Sequence, residues 1–222
     1  MSGATGITGA PNIMIRSLAL VSLAVLLLVV GAVLRPLVDA PNASGPVLSD
    51  VEVGFVQDMA AHHQQALQMT ARLAPDVDPA VITFADRIDS AQRIELGTLV
   101  GWLTLTEAAP INPEPMWWWH GPAHAHADGG AVRHGAGASM PGMATLAELD
   151  ALSAARGREG EVLFLQMMKR HHDGGVAMAR AADLLLDDGA VKRLARAMMQ
   201  EQSKESGLLT MMLAERAAVP AG

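Results

Sequence analysis

Along the chain Phe55, Met59, His62, Ala66, Met69 and Leu73 recur at alternating steps of four and three, while Gln57, Asp58, Gln64 and Gln68 fall largely off that line. This is the period of an α-helix with one inward face. Its start is marked by Ser49-Asp50-Val51-Glu52, a capping box in which a hydroxyl and a carboxylate three residues on each satisfy a free amide. Its end is marked by the breakers Pro75-Asp76-Val77-Asp78-Pro79. A second stripe, Ala85, Ile88, Gln92, Glu95, Leu99 and Trp102, has the same period but carries two polar residues on its apolar face. So short a turn makes the two helices antiparallel neighbours, which sets His62 and His63 level with Gln92 and Glu95.

The pattern then repeats. FVQDMAAHHQQALQM, Phe55 to Met69, returns as FLQMMKRHHDGGVAM, Phe164 to Met178. Phe164, Met168, His171, Gly175 and Met178 form the stripe, Asp187-Asp188-Gly189 the turn, and Met198, Gln202, Glu205, Leu209 and Met212 the return stripe. Neither hairpin can bury its apolar face alone. The expected fold is therefore all-α: a four-helix bundle made of two duplicated hairpins with approximate twofold symmetry.

Outside the repeats the chain divides by composition. Residues 1–16 form an N-terminal tail, and Ser17 to Leu34 are eighteen residues without a charge, bracketed by Arg16 and Arg35. That is about the minimum to span a bilayer, and no small-x-small cleavage site directly follows it. The expectation is a single-pass membrane anchor with the following domain outside the cytoplasm; export after signal-peptide cleavage is the alternative. Residues 35–48 read as an extended tether and 49–222 as the bundle domain: a first hairpin over 49–106, a Gly/His/Met-rich linker over 107–144, and a short helix plus the second hairpin over 145–222. Thr145-Leu146-Ala147-Glu148 is a second capping box and starts that short helix.

Composition narrows the chemistry. There is no cysteine among the 222 residues, so disulfides, thiolate metal sites and thiol catalysis are excluded. A formal charge of −7 with no long Lys/Arg run argues against nucleic acid as a partner. Metal chemistry would have to use His, Met, carboxylate or backbone. On a helical wheel His62, His63, Met59 and Met69 fit within one inward arc of about 120°, as do His171, His172, Met168 and Met178, with the small residues Ala66 and Gly175 leaving room beside the rings. The histidines could be core groups satisfied by Gln92, Glu95, Gln202 and Glu205, and methionines at helical spacing are often core filler. Yet burying four imidazoles, two amides and two carboxylates without a ligand would leave polar atoms unsatisfied. A metal site in the bundle core is the preferred reading. Imidazole with thioether suits Cu(I), and by the same softness Ag(I); imidazole with carboxylate suits Cu(II), Zn or Fe. Glu95 and Glu205, with Gln92 and Gln202, are then expected behind the ligands, holding imidazole N–H groups. In the linker His120, His124, His126 and His134, with Met116, Met140 and Met143, form either a second metal-capturing tract or a low-complexity loop. Trp117 to Trp119 are expected to pack on the end of the bundle or on a membrane surface.

The doubled motif, MPGM before a short helix, and the Q-x-x-E return helices resemble the ferritin-like family of the domain of unknown function 305. The resemblance covers roughly Asp50 to Ala214. The family often shows Phe-Asp just before the second motif, where this chain has Gly160-Glu161. Some members are exported copper-binding proteins, which implies copper, Cu(I) foremost, at His62, His63, His171, His172 and the stripe methionines. The expected function is metal binding or sequestration at the membrane rather than catalysis. A ferritin-like metal oxidase and a metal-free interaction module with a polar core are the alternatives, although the Glu-x-x-His pairs of di-iron carboxylate sites are absent.

Overall fold

In a computed structural model of the chain, residues 29–30, 47–120 and 140–218 are described. The chain divides into two compact units, Met1–Gly45 and Pro46–Gly222. In the first, only Val29 and Val30 are described, and both are helical. The rest of the apolar segment 17–34 and of the tether lies outside the described residues, among which no helix is long and apolar enough to cross a membrane.

The described part of the second unit is built of helices joined by turns and loops, with no strand among the described residues. Helix α1 spans Asp50–Thr70, α2 Pro79–Leu105, α3 Leu146–Ala154, α4 Gly157–Leu185 and α5 Ala190–Ala218, with a 3₁₀ turn at Trp117–His120. Helices α1 and α2 form one hairpin and α4 and α5 the other, and the hairpins meet through α1 and α4. The two helices that carry the His-His motif are thus innermost.

Helix starts follow their local chemistry. Ser49 and Glu52 close the capping box of α1 in both directions, and Thr145 and Glu148 do the same for α3. Asp78 caps α2 through the amide of Ala80, with Pro79 in the first turn, where its missing N–H leaves no bond unmade. Helix α4 has no side-chain cap and begins at Gly157, ahead of the second motif. Glu161, the counterpart of Glu52, lies inside that helix. Its carboxylate accepts from the Asp78 amide at 2.7 Å and from Arg216 Nε at 2.7 Å, so it joins the starts of α2 and α4 to the end of α5.

The apolar core is in two pieces. One cluster joins Phe55, Val56 and Met59 of α1, Leu99 of α2, Met178 and Ala182 of α4, and Val191 and Met198 of α5. The other joins Ala66 and Met69 of α1, Val81 and Ile88 of α2, Phe164 and Met168 of α4, and Leu209 of α5. The doubled motif explains the division, because the histidines fall midway along both inner helices.

The linker departs from a loose loop at its beginning. Asp58 Oδ2 accepts from Asn112 Nδ2 at 3.1 Å, from the Met116 amide at 2.7 Å and from Trp118 Nε1 at 2.7 Å. Gln57 donates to the Ala109 carbonyl at 2.6 Å. Both side chains lie off the hydrophobic stripe, but they are buried beneath the folded linker rather than facing water. Trp118 is fully buried, edge-on to Phe55 at 5.3 Å, while Trp117 stays half exposed. The tryptophans thus bear on the bundle itself, close against Gly54, where a Cβ would stand 2.9 Å from Trp118 Cδ1.

Candidate functional site

Between the two apolar clusters lies a layer of polar side chains. His62, His63, His171 and His172 have no exposed surface, and Gln92, Gln202 and Glu205 are buried with them. Glu95 completes the layer with its side chain one-fifth exposed. Period and register produce this arrangement: the His pairs sit at mid-helix on α1 and α4, and the Q-x-x-E pairs stand level with them on α2 and α5.

The hydrogen bonds have a common form. His63 Nε2 lies 2.7 Å from Glu95 Oε2, and His172 Nε2 lies 2.8 Å from Glu205 Oε2. His171 Nε2 lies 3.0 Å from the backbone carbonyl of His62, and His62 Nε2 lies 3.1 Å from the carbonyl of Pro141. A carbonyl can only accept, so in His62 and His171 Nε2 must carry the hydrogen. A carboxylate demands the same of His63 and His172. In a neutral ring so bonded the lone pair is on Nδ1, and all four Nδ1 atoms are buried without a partner.

The rings of His62 and His171 stack at 3.7 Å between centroids, 28° from parallel. Two charged rings could not share that position. Burial, reinforced by the neighbouring His63, pushes the His62 imidazole down to about 3, and burial with His62 as the nearest charge holds His171 well below the ordinary histidine range. Both are neutral at pH 7. Gln92 Oε1 and both amide atoms of Gln202 are also unpaired. The room expected beside Gly175 is filled by the Gln202 amide, which a Cβ at that position would overlap.

The four stripe methionines are fully buried just outside the layer, Met59 with Met178 in one cluster and Met69 with Met168 in the other. Each pair takes one thioether from each copy of the motif. Among the described residues no three His, Asp or Glu side chains converge as ligands of one metal ion, so the four imidazoles form a layer rather than a closed ligand set.

The linker residues separate into three groups. His124, His126 and His134 lie outside the described residues, and His120 ends the 3₁₀ turn. Met116, at φ 68°, packs against the first cluster. Met140 and Met143 flank Pro141 and Gly142 in a half-buried strap that crosses α1 and α4 at the level of the histidines. Gln65 holds the strap with both ends of its amide, donating to the Ala144 carbonyl at 2.9 Å and accepting from the Ala144 amide at 2.6 Å. Gly142 has φ +77° and a Cβ there would overlap the Arg170 carbonyl; a Cβ on Gly174 would overlap the Pro141 carbonyl.

Helical periodicity does not reveal Gln65, Pro141, Gly142 or Gly174 as parts of the site. The available signals were MPGM directly before a capping box and the doubled glycine after the second His pair. Neither says what it touches.

The family model for the domain of unknown function 305 matches residues 52–213. A solved DUF305 protein of Streptomyces coelicolor, presumed secreted, is 34% identical, with a TM-score of 0.65 over 78% of this chain and 97% of its own. A solved DUF305 fragment from Deinococcus radiodurans is 30% identical, with a TM-score of 0.59 over 75% of this chain and 97% of its own. No curated protein matches the chain.

Proposed function

The chain belongs to the family of the domain of unknown function 305, and on that premise we propose that it binds copper, as Cu(I), in the core of an extracytoplasmic, membrane-anchored helical bundle. One observation carries the reading: four buried imidazoles, each with Nε2–H given to an oxygen, leave four Nδ1 lone pairs that nothing satisfies. Leaving one such acceptor buried and unpaired costs about 1–3 kcal/mol. A metal ion satisfies lone pairs without supplying hydrogens, and fixing Nε2–H by an oxygen acceptor is how proteins aim the other nitrogen at a metal.

The donor set favours copper. His62, His63, His171 and His172 would supply nitrogen, and Met59, Met69, Met168 and Met178 would supply thioether sulfur, the combination that suits Cu(I). The reading is of a binding protein that sequesters the ion, and bound copper would supply no reaction step. The ferritin-like architecture, with one hairpin duplicated about a twofold axis, belongs to the same reading. Location outside the cytoplasm draws support from the relative presumed secreted and from the apolar segment 17–34.

The test is Cu(I) titration of the full chain against a competing chelator under reducing conditions. Tight uptake of one or two ions is expected, lost when the four histidines are changed together to Ala. Changing the four methionines to Leu should weaken Cu(I) far more than Cu(II). A folded chain that takes up no Cu(I) would overturn the proposal and leave the histidines as groups that fix helix register.

A further inference from the structure

The polar layer is walled by helices on most sides. Helix α2 closes it with Gln92 and Glu95, α5 with Gln202 and Glu205, and α1 and α4 are joined by the His62–His171 stack. An ion passing any of these walls must separate packed helices. The strap is different: Met140–Ala144 is not helical, is half-buried, and lies between His62 and solvent. Side-chain bonds from Gln65 and His62 hold it. Behind it the chain is fixed, because Thr145 and Glu148 cap α3 and Glu148 pairs with Arg170 at 2.7 Å. Loss of the Gln65 bonds would loosen the strap at Ala144 and leave α3 and α4 in place.

From this geometry we infer that the strap is the door through which metal reaches the histidine layer, with Gln65 as its latch. This rests on the copper reading and adds the route and the positioning residue. Opening takes the Pro141 carbonyl off His62 Nε2 and uncovers the stack. Local opening with a low free energy is characteristic of segments with few buried apolar contacts. Met140 rests on one apolar cluster and Ala144 on the other, but the strap is five half-buried residues without helix bonds, whereas the long helices supply most of both clusters. Glu95, one-fifth exposed, marks the competing route.

The two positions predict different things about rate and affinity. Losing the two Gln65 bonds should raise the open population about tenfold to a hundredfold, at roughly 1 kcal/mol each. The strap stays closed most of the time, so equilibrium affinity hardly moves. Uptake and release should both accelerate by the same factor. Gly174→Ala gives an independent handle, because its methyl displaces the Pro141 carbonyl while Ala favours the helix that carries it. Gln57→Leu is the control, since Gln57 holds the linker at Ala109, far along α1 from the strap.

The experiment follows Cu(I) uptake from a chromogenic chelator, chelator-driven release, and hydrogen exchange of the Ala144 amide in wild type, Gln65→Leu, Gly174→Ala and Gln57→Leu. In Gln65→Leu and Gly174→Ala, faster Ala144 exchange with uptake and release raised together, affinity within about threefold, and no change in Gln57→Leu, is the expected result. Wild type that loads copper no more slowly than variants with faster Ala144 exchange would overturn the door and leave the copper site standing. Unchanged Ala144 exchange in Gln65→Leu would overturn the latch. A wild type that takes up no copper would remove both.

Discussion

At the scale of the residue, His62 and His171 make acid stability a direct readout of the layer. Their imidazoles are held below the unfolded value of 6.5, His62 at about 3, so below pH 6.5 the unfolded chain binds protons that the folded chain refuses. Stability contributed by these rings is complete above that value and is lost as the pH falls, by about 1.4 kcal/mol per pH unit for each ring. Metal-free protein should show urea midpoints that decline steadily from pH 6.5 to 5, before carboxylates begin to titrate. His171→Leu should flatten the decline; an unchanged slope would mean that the buried rings are not its source. Glycine offers a second contrast. Gly175→Ala must displace the Gln202 amide and should cost about 1–3 kcal/mol, less a helix-propensity gain of up to about 1 kcal/mol. Gly207 has nothing within 4 Å of an added Cβ, so Gly207→Ala should stabilise by about 0.5–1 kcal/mol. Paired thermal melts decide both signs.

At the scale of the element, the sequence was most legible where period and capping chemistry coincide. Ser49–Glu52 and Thr145–Glu148 announce two helix starts, and the His and Met register follows from steps of three and four. The linker was legible only in part, because its order comes from a side chain distant in sequence. Asp58 reads as a polar position off the stripe, yet one of its oxygens collects three donors from Asn112, Met116 and Trp118, and burial raises its carboxyl above the usual range. No local pattern encodes that. Asp58→Ala should leave those donors unpaired and release residues 112–118, costing about 2–4 kcal/mol. Trp118 emission should shift to the red as the ring meets water, with helix content by circular dichroism nearly unchanged. Emission that stayed put would show the tryptophan held by Phe55 alone. Asp58→Asn, which keeps one acceptor oxygen, should behave more mildly.

At the scale of the whole molecule, two hairpins are joined by a polar layer at mid-height and, at one end, by the bond from the Asp78 amide to Glu161. Glu161 receives the Asp78 amide and Arg216, whose guanidinium also donates to the Met212 carbonyl. Arg158 reaches the Arg216 carbonyl at the same end. Glu161→Ala leaves a buried Arg216 with only the Asp78 carboxylate, at 3.7 Å, and should destabilise by about 3 kcal/mol. Replacing Glu161 and Arg216 together with Leu and Met should restore much of the loss. Urea unfolding of the three proteins measures the coupling, and a double variant as unstable as Glu161→Ala would place the effect elsewhere.

A duplicated chain has two copies of each hairpin but only one segment between them. A residue outside the shared interior that the connecting segment touches is therefore released from resembling its twin. Phe55, Met59, His62, His63 and Met69 face inward and are matched by Phe164, Met168, His171, His172 and Met178. Gly54 lies under Trp117 and Trp118, Asp58 binds the linker's beginning and Gln65 its end, and their twins are Leu163, Met167 and Gly174. Gln57, which also touches the linker, keeps its twin, Gln166, as do the inward-facing Phe55 and His62. The mismatches between the halves thus trace the path of the connection across the first hairpin, and the matches mark the interior that both halves own equally.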